Sequence, residues 1–356
     1  MMKFYRKMAV LIFLLLLVLL ICGCKAKLSA PETNMLTLQY ELAADEELEP
    51  FYVSDTKIYA AVNKLEPPSM SAPSFGATTE RFIVYDLGTE KEEIHYDLCE
   101  EGVYIYHAMP FEEGVIYAVY TPLAPGASLD ESIQWDIKYI SDKGTEILDS
   151  GYCKSVDRIP GFALIDGEVY YLYEDFYEDT GYGFGVSKAG LEHSKPVLKE
   201  KEYSLSESEF YSNGSDYVIH VDGKLLVGNA KGIYRKYDLP EKISAFGICS
   251  DYLFCCTTQD GNKWTARSVS LKTGEEHAAE TQMPLYRISS MCGDELTCVG
   301  DGFSMHVLRP GKNFEIQQVE ESMEIIETRE YVRYYPYGDV ETLAQLDETK
   351  FLRVTW

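Results

Sequence analysis

From about residue 35 onward one pattern of apolar and polar positions recurs. An apolar, β-branched or aromatic run of five to eight residues meets a turn rich in Gly, Asp, Asn or Lys, and another run follows. Val53–Val62 is followed by Arg81–Asp86, Leu87-Gly88-Thr89 and Glu93–Tyr96. Gly114–Tyr120 leads to Trp135–Ile140, Ser141-Asp142-Lys143-Gly144 and Thr145–Leu148. Gly167–Tyr173 leads to Gly183–Ser187 and then Lys195–Leu198. Tyr217–Val221 turns at Asp222-Gly223 into Lys224–Val227, ahead of Gly232–Tyr237. Tyr252–Thr257 turns at Asp260-Gly261-Asn262 into Trp264–Leu271, and Glu295–Val299 turns at Gly300-Asp301-Gly302 into Met305–Leu308. Alternation broken by Asp-Gly or Gly-rich turns predicts antiparallel hairpins. Helical periodicity is thin: Glu320–Tyr331 and Val340–Leu346 carry fragments of it, each equally readable as strand or loop.

The units begin near residues 53, 114, 167, 217, 252, 295 and 331. Their spacing matches a four-stranded propeller blade, although no two units align residue for residue. The expected fold is all-β: one β-propeller domain over residues 35–356, of six to eight blades, with seven fitting the count best. Met35–Glu41 and Lys350–Trp356 are both strand-like and lie far apart in the chain, and are the pair expected to share a closing blade.

The first 24 residues follow a different rule. Lys3, Arg6 and Lys7 precede an unbroken apolar run from Met8 to Ile21. Fourteen residues at a rise of ~1.5 Å cover roughly 21 Å, short of a ~30 Å hydrocarbon core. A basic start and a short apolar core read as an export signal. The ending, Ile21-Cys22-Gly23-Cys24, resembles a bacterial lipobox. That resemblance implies a signal peptide over residues 1–23, cleavage before Cys24, and acylation (palmitate among the acyl groups) of Cys24. The protein would then sit on the extracytoplasmic face of the cell membrane, held by lipid. Residues 25–34 are polar and unpatterned, and read as a short tether. With the recurring body, the whole resembles the divergent β-propeller lipoproteins of bacteria, without the Gly-His…Trp-Asp pairs or Trp docking motifs of the signature-bearing propellers.

Composition narrows the partners. The formal charge is −26, and −29 once Lys3, Arg6 and Lys7 leave with the signal. Nucleic-acid binding is excluded as a reading, because phosphate-neutralising surfaces need clustered Lys and Arg. Hydrophobic content of 46% with 13% aromatic excludes a disordered chain. The 28 Tyr fit strands, where a ring can be buried and its hydroxyl left wet, or a face that binds sugar or peptide.

Motifs for chemistry are sparse. The chain has no GxSxG, HExxH or CxxC, and its six His are scattered singly. Seven Cys follow Cys24, an odd number, so at least one thiol stays unpaired within the chain. A hairpin at Gly293-Asp294-Glu295 could bring Cys292 opposite Cys298 in a local disulfide; buried free thiols are the other reading. Glu174, Asp175, Glu178 and Asp179 place four carboxylates in six positions beside flexible Gly, a weak candidate for Ca²⁺, which takes six to eight oxygen ligands. The spacing is not that of an EF-hand. No other cofactor is expected.

Two Pro/Ser/Gly-rich insertions, residues 64–80 and 121–132, fall at the same place in their units. With Tyr177, Tyr182 and Phe184 they are candidates for one binding rim, since long loops on a rigid scaffold are where recognition concentrates. The sequence therefore reads as a surface lipoprotein whose propeller binds or scaffolds a protein, peptide or glycan partner near the membrane, without catalysis. The alternative is a propeller-fold hydrolase acting on envelope glycans or peptides.

Overall fold

A computed structural model describes residues 32–54, 56–65, 77–98, 105, 107–121, 133–177, 181–206, 209–239, 242–259, 261, 263–281, 285–292, 295–300, 305–309, 311, 314–318, 333–334, 341–347 and 350–355. They form seven four-stranded antiparallel sheets, with one turn of 3-10 helix at Val156–Arg158. The first sheet joins β2 (Glu46–Val53), β3 (Lys57–Leu65), β4 (Ala77–Asp86) and β5 (Lys91–Asp97). The second joins β6 (His107–Phe111), β7 (Gly114–Thr121), β8 (Ile133–Ser141) and β9 (Gly144–Cys153). The third joins β10 (Gly161–Ile165), β11 (Glu168–Tyr177), β12 (Gly181–Lys188) and β13 (Lys195–Glu200). In the fourth are β14 (Tyr211–Ser212), β15 (Asp216–Val221), β16 (Lys224–Asn229) and β17 (Gly232–Asp238). The fifth holds β18 (Lys242–Cys249), β19 (Tyr252–Thr258), β20 (Trp264–Ser270) and β21 (Glu276–Thr281). The sixth holds β22 (Leu285–Cys292), β23 (Glu295–Gly300), β24 (Met305–Arg309) and β25 (Glu315–Gln318).

The last sheet closes the set. Its order is β1 (Glu32–Thr37), β28 (Lys350–Thr355), β27 (Glu341–Asp347) and β26 (Arg333–Tyr334). β1 pairs antiparallel with β28 from Glu32↔Thr355 to Thr37↔Lys350. The two segments expected to close the fold do pair, with β1 starting three residues earlier than the sequence suggested. Leu36 of β1 packs on the cluster of Leu48, Ile58, Val62 and Ile83 in the first sheet, so β1 ties the last sheet to the first.

Burial shows why the sheets stand radially. The second and third strands are covered on both faces: β8 is buried from Trp135 to Ile140, and β16 from Leu225 to Gly228. The fourth strands are largely exposed, as in β5, where Tyr96 alone is buried. Apolar clusters fill the gaps between consecutive sheets, joining Phe82 to Tyr117, Phe111 to Tyr171, Phe184 to Tyr217, and Phe246 to Leu296. The first strands β2, β6, β10, β14, β18 and β22 approach one another in that order. Each sheet thus covers the next, which is how a propeller disposes of its two apolar faces.

Two local devices recur below the level of sequence similarity. In the first four sheets the outer strand carries one residue more than its neighbour: Glu93, Leu148, Val197 and Tyr234 each sit at a register slip. Such bulges twist an exposed edge and discourage edge-to-edge pairing. Large rings also lie across glycines on the neighbouring strand: Trp135 on Gly151, Tyr173 on Gly185 and Tyr217 on Gly228. A Cβ at these glycines would fall 2.3 to 2.5 Å from the ring.

Residues 341–347 are strand, which settles one of the two weakly helical segments; Glu320–Tyr331 lies outside the described residues. Cys298 is a free, buried thiol and stands opposite Ile288 and His306, so the hairpin does not bring it to Cys292.

Candidate functional site

Because strands alternate in direction, every sheet has two ends. One end carries the links from first to second and from third to fourth strand. Five of the described ones are two residues long, at 112–113, 142–143, 166–167, 230–231 and 250–251, and the longest described, 189–194, has six. Asp166 (φ +53°) and Gly167 (φ +76°) both take the left-handed conformation such a hairpin turn requires. The other end carries the second-to-third links and the crossings to the next sheet. Residues 66–76 join β3 to β4 there, and 122–132 join β7 to β8. Hydrogen bonds between links respect this division. Asp166 N donates to Gly214 O at 2.6 Å and Asn213 Nδ2 to Ser250 O at 2.5 Å, all at the turn end. Leu65 N donates to Asp45 O at 2.7 Å and Ser204 N to Asp222 Oδ2 at 3.0 Å, all at the loop end.

The loop end of the first three sheets gathers buried and half-buried polar groups. Arg81 meets Glu46 through two bonds, Nη1 to Oε1 at 2.8 Å and Nη2 to Oε2 at 3.1 Å, and also donates to Tyr40 Oη. This pairing holds Glu46 below the usual carboxylate range and Arg81 above its own. Asn63 donates to Glu49 Oε2 at 2.7 Å, Thr79 to Asn63 Oδ1 at 2.7 Å, and Ile105 N to Thr79 Oγ1 at 3.2 Å. Asp136 accepts from Ser150 Oγ at 2.7 Å.

The most enclosed group is Glu174 near the end of β11, which is 0% exposed. Its Oε1 pairs with Arg158 Nη1, and its Oε2 accepts from Lys154 N at 2.6 Å. Trp135 Nε1 donates to its backbone carbonyl at 3.2 Å. Burial pushes the Glu174 carboxyl above its ordinary range, against the pull of Lys154 N–H and Arg158. The neighbouring Cys153 thiol is pushed up to about 12, mainly by burial and then by Glu174. A thiol raised in this way stays protonated at neutral pH. Burial likewise holds Cys298 well above a free thiol and His306 below a free imidazole.

The candidates read from sequence fare unequally. Phe184 does not belong to a rim: its ring is fully buried among Leu172, Val186, Tyr217 and Ile219, because β12 continues through it and the fourth sheet covers that face. Tyr182, two residues nearer the loop end, is half-buried. Tyr177 ends β11 opposite Gly181. Of the four carboxylates offered to Ca²⁺, Glu174 has both oxygens engaged as above, and Asp175, its neighbour on the strand, points to the opposite face. Glu178, Asp179 and Cys24 lie outside the described residues, among which no three His, Cys, Asp or Glu side chains are grouped to hold a metal. The sequence reading missed Arg158 and Arg81. Each is a solitary base in an acidic chain, which was the available signal.

No family model matches the chain, and no curated protein matches it. Solved structures do, 704 chains in all, so the architecture is a widely shared one whose function resides in grafted sites rather than in the fold. One is a chain in the crystal structure of the mitotic checkpoint complex, with a TM-score of 0.53 and 9% identity over 94% of this chain and 94% of that one. At that identity the likeness speaks to fold alone. Together with the sheet order it defines the class: this chain is a β-propeller.

Proposed function

We propose that the chain is a lipid-anchored binding module, held at Cys24 on the extracytoplasmic face of the membrane. Its partner is a protein, peptide or glycan engaged at the loop end of the first three sheets. Each of the seven sheets is taken as one blade. The observation that carries this reading is the placement of the extended links. Residues 66–76 and 122–132 occupy the same second-to-third position in consecutive sheets, and so leave one end of the ring side by side. The leader carries the address, through the lipobox-like Ile21-Cys22-Gly23-Cys24. Non-catalytic binding suits the polar groups described above at that end, which bond to one another and to the backbone of the links.

Capture from detergent-solubilised envelope tests the proposal. The parent chain should retain a partner that a variant with short Gly-Ser replacements of 66–76 and 122–132 loses, while both unfold at nearly the same temperature. Retention of the partner by the shortened variant would overturn the placement of the site.

A further inference from the structure

The direction of β1 assigns which end of the ring meets the membrane. β1 is the outer strand of the closing sheet and runs antiparallel to β28. It finishes at Thr37, and the chain then passes through residues 38–45 to enter β2. Asp45 lies beside Leu65, the last residue of β3, with Leu65 N donating to Asp45 O at 2.7 Å. That fixes residues 38–45 at the loop end. Glu32, at the other end of β1, therefore leaves the sheet at the turn end. From the geometry we infer that the turn end faces the bilayer and the loop end faces away from it. The inference rests on the anchor at Cys24 proposed above.

Lengths decide between this pose and its inverse. Eight peptide steps separate Cys24 from Glu32. Fully stretched at ~3.4 Å each, they reach about 27 Å. The six residues of β1 span about 20 Å between the two ends of the sheet. To seat the loop end on lipid, the tether would have to climb that distance outside β1, leaving about two residues to reach the headgroups. Seating the turn end needs no climb and leaves the tether most of its freedom. Link length agrees: five of the described turn-end links are only two residues long and the longest described has six, against eleven residues each at 66–76 and 122–132 of the loop end. Whatever binds at the loop end then arrives from the aqueous side and is a water-soluble macromolecule or a polymer reaching toward the membrane, not a lipid.

Ala44 and Thr56 are exposed and flank β2 at the loop end and the turn end, respectively. The full acylated chain is reconstituted in phosphatidylcholine vesicles containing an acceptor dye on a lipid headgroup. A donor dye is placed on Ala44→Cys or on Thr56→Cys, with the dye-treated parent chain subtracted. Asp45→Cys and Glu90→Cys repeat the comparison at neighbouring sites. Energy transfer should be at least twofold stronger from the turn-end position of each pair. Equal transfer, or stronger transfer from Ala44→Cys and Asp45→Cys, overturns the orientation while leaving the anchor standing. A Cys24 without acyl mass overturns the anchor and the orientation with it.

Discussion

Replacing Arg158 by Met tests the reading of the loop end as a structural polar network. Glu174 is fully enclosed, and Arg158 supplies its charged partner. Without Arg158 the carboxylate keeps one donor, the Lys154 N–H. Removing one member of a buried pair costs about 3–5 kcal/mol, because the other charge is left unsolvated. Arg158 itself retains 19% exposure, which favours the lower figure, about 3 kcal/mol. At about 2.1 cal/mol/K per residue, the body from residue 32 to 356 has an unfolding entropy near 0.7 kcal/mol/K, so the melting midpoint should fall by about 4 °C. The pH dependence gives the sharper criterion. Glu174 already titrates above its unfolded range, from burial, and losing Arg158 raises it further. A carboxyl raised on folding is tolerated below its unfolded pKa and becomes a penalty as pH rises through the folded value. The deficit of Arg158→Met against the parent should therefore be largest at pH 7.5 and shrink at pH 5. Adding Glu174→Gln should recover most of the loss at pH 7.5, since an amide oxygen still accepts from Lys154 N–H. Differential scanning calorimetry of the three chains at both pH values is the assay. A loss under about 1 kcal/mol, or one that is equal at both pH values, would refute the argument.

Three further outcomes follow from particular contacts. Gly185→Ala forces a Cβ to within 2.3 Å of the Tyr173 ring and should destabilise by about 1–3 kcal/mol, whereas Gly88→Ala meets nothing closer than 3.4 Å and should be nearly silent; urea midpoints compare them. Tyr217→Phe removes a buried hydroxyl that has no hydrogen-bond partner among the described residues, so thermal unfolding should show no loss, or a gain of up to about 1 kcal/mol. Burial lowers the pKa of His306, so the unfolded chain binds a proton near pH 6.5 that the folded chain refuses. Its stabilising effect is complete above 6.5 and drains as pH falls, by at most about 1.4 kcal/mol at pH 5.5. His306→Gln should flatten that slope in denaturation measured from pH 7.5 to 5.5.

Much of the ring was legible because its second and third strands carry the strongest apolar runs. Gly114–Tyr120 and Trp135–Ile140 read directly as strands, and they are β7 and β8. The first strands were not legible. His107–Phe111 and Glu46–Val53 each contain a proline, and both mix charge or imidazole with apolar residues. Proline normally argues against a central strand. Here these strands are the inner edge of their sheets, where one side of the backbone has no partner strand and proline is tolerated. The polar network was hidden for a different reason: Arg158 and Glu174 are 16 positions apart, and Arg81 and Glu46 are 35 apart. No local pattern links such pairs; only the ring brings a crossing link beside a strand end. Phe184 illustrates the converse error. It lies within Gly183–Ser187, itself read as a strand-like run, yet it was assigned to the rim with Tyr177 and Tyr182; β12 starts at Gly181, and Gly185 leaves room for the Tyr173 ring.

That division between links and strands bears on how the molecule can vary. Stability resides between sheets, in clusters such as Phe184 with Tyr217 and Phe111 with Tyr171. At the loop end, bonds such as Lys154 N–H to Glu174 and Ser204 N–H to Asp222 pin the root of each crossing link. A pinned root isolates the core from whatever the chain does further out, so insertions there cost little beyond loop closure, which grows only slowly with length. The short turn-end links have less latitude. Glu112, Asp166 and Ser250 already hold left-handed backbone in short links, and lengthening them would disturb the hairpins they close. Sequence novelty in this architecture is therefore expected mainly at one end, the loop end.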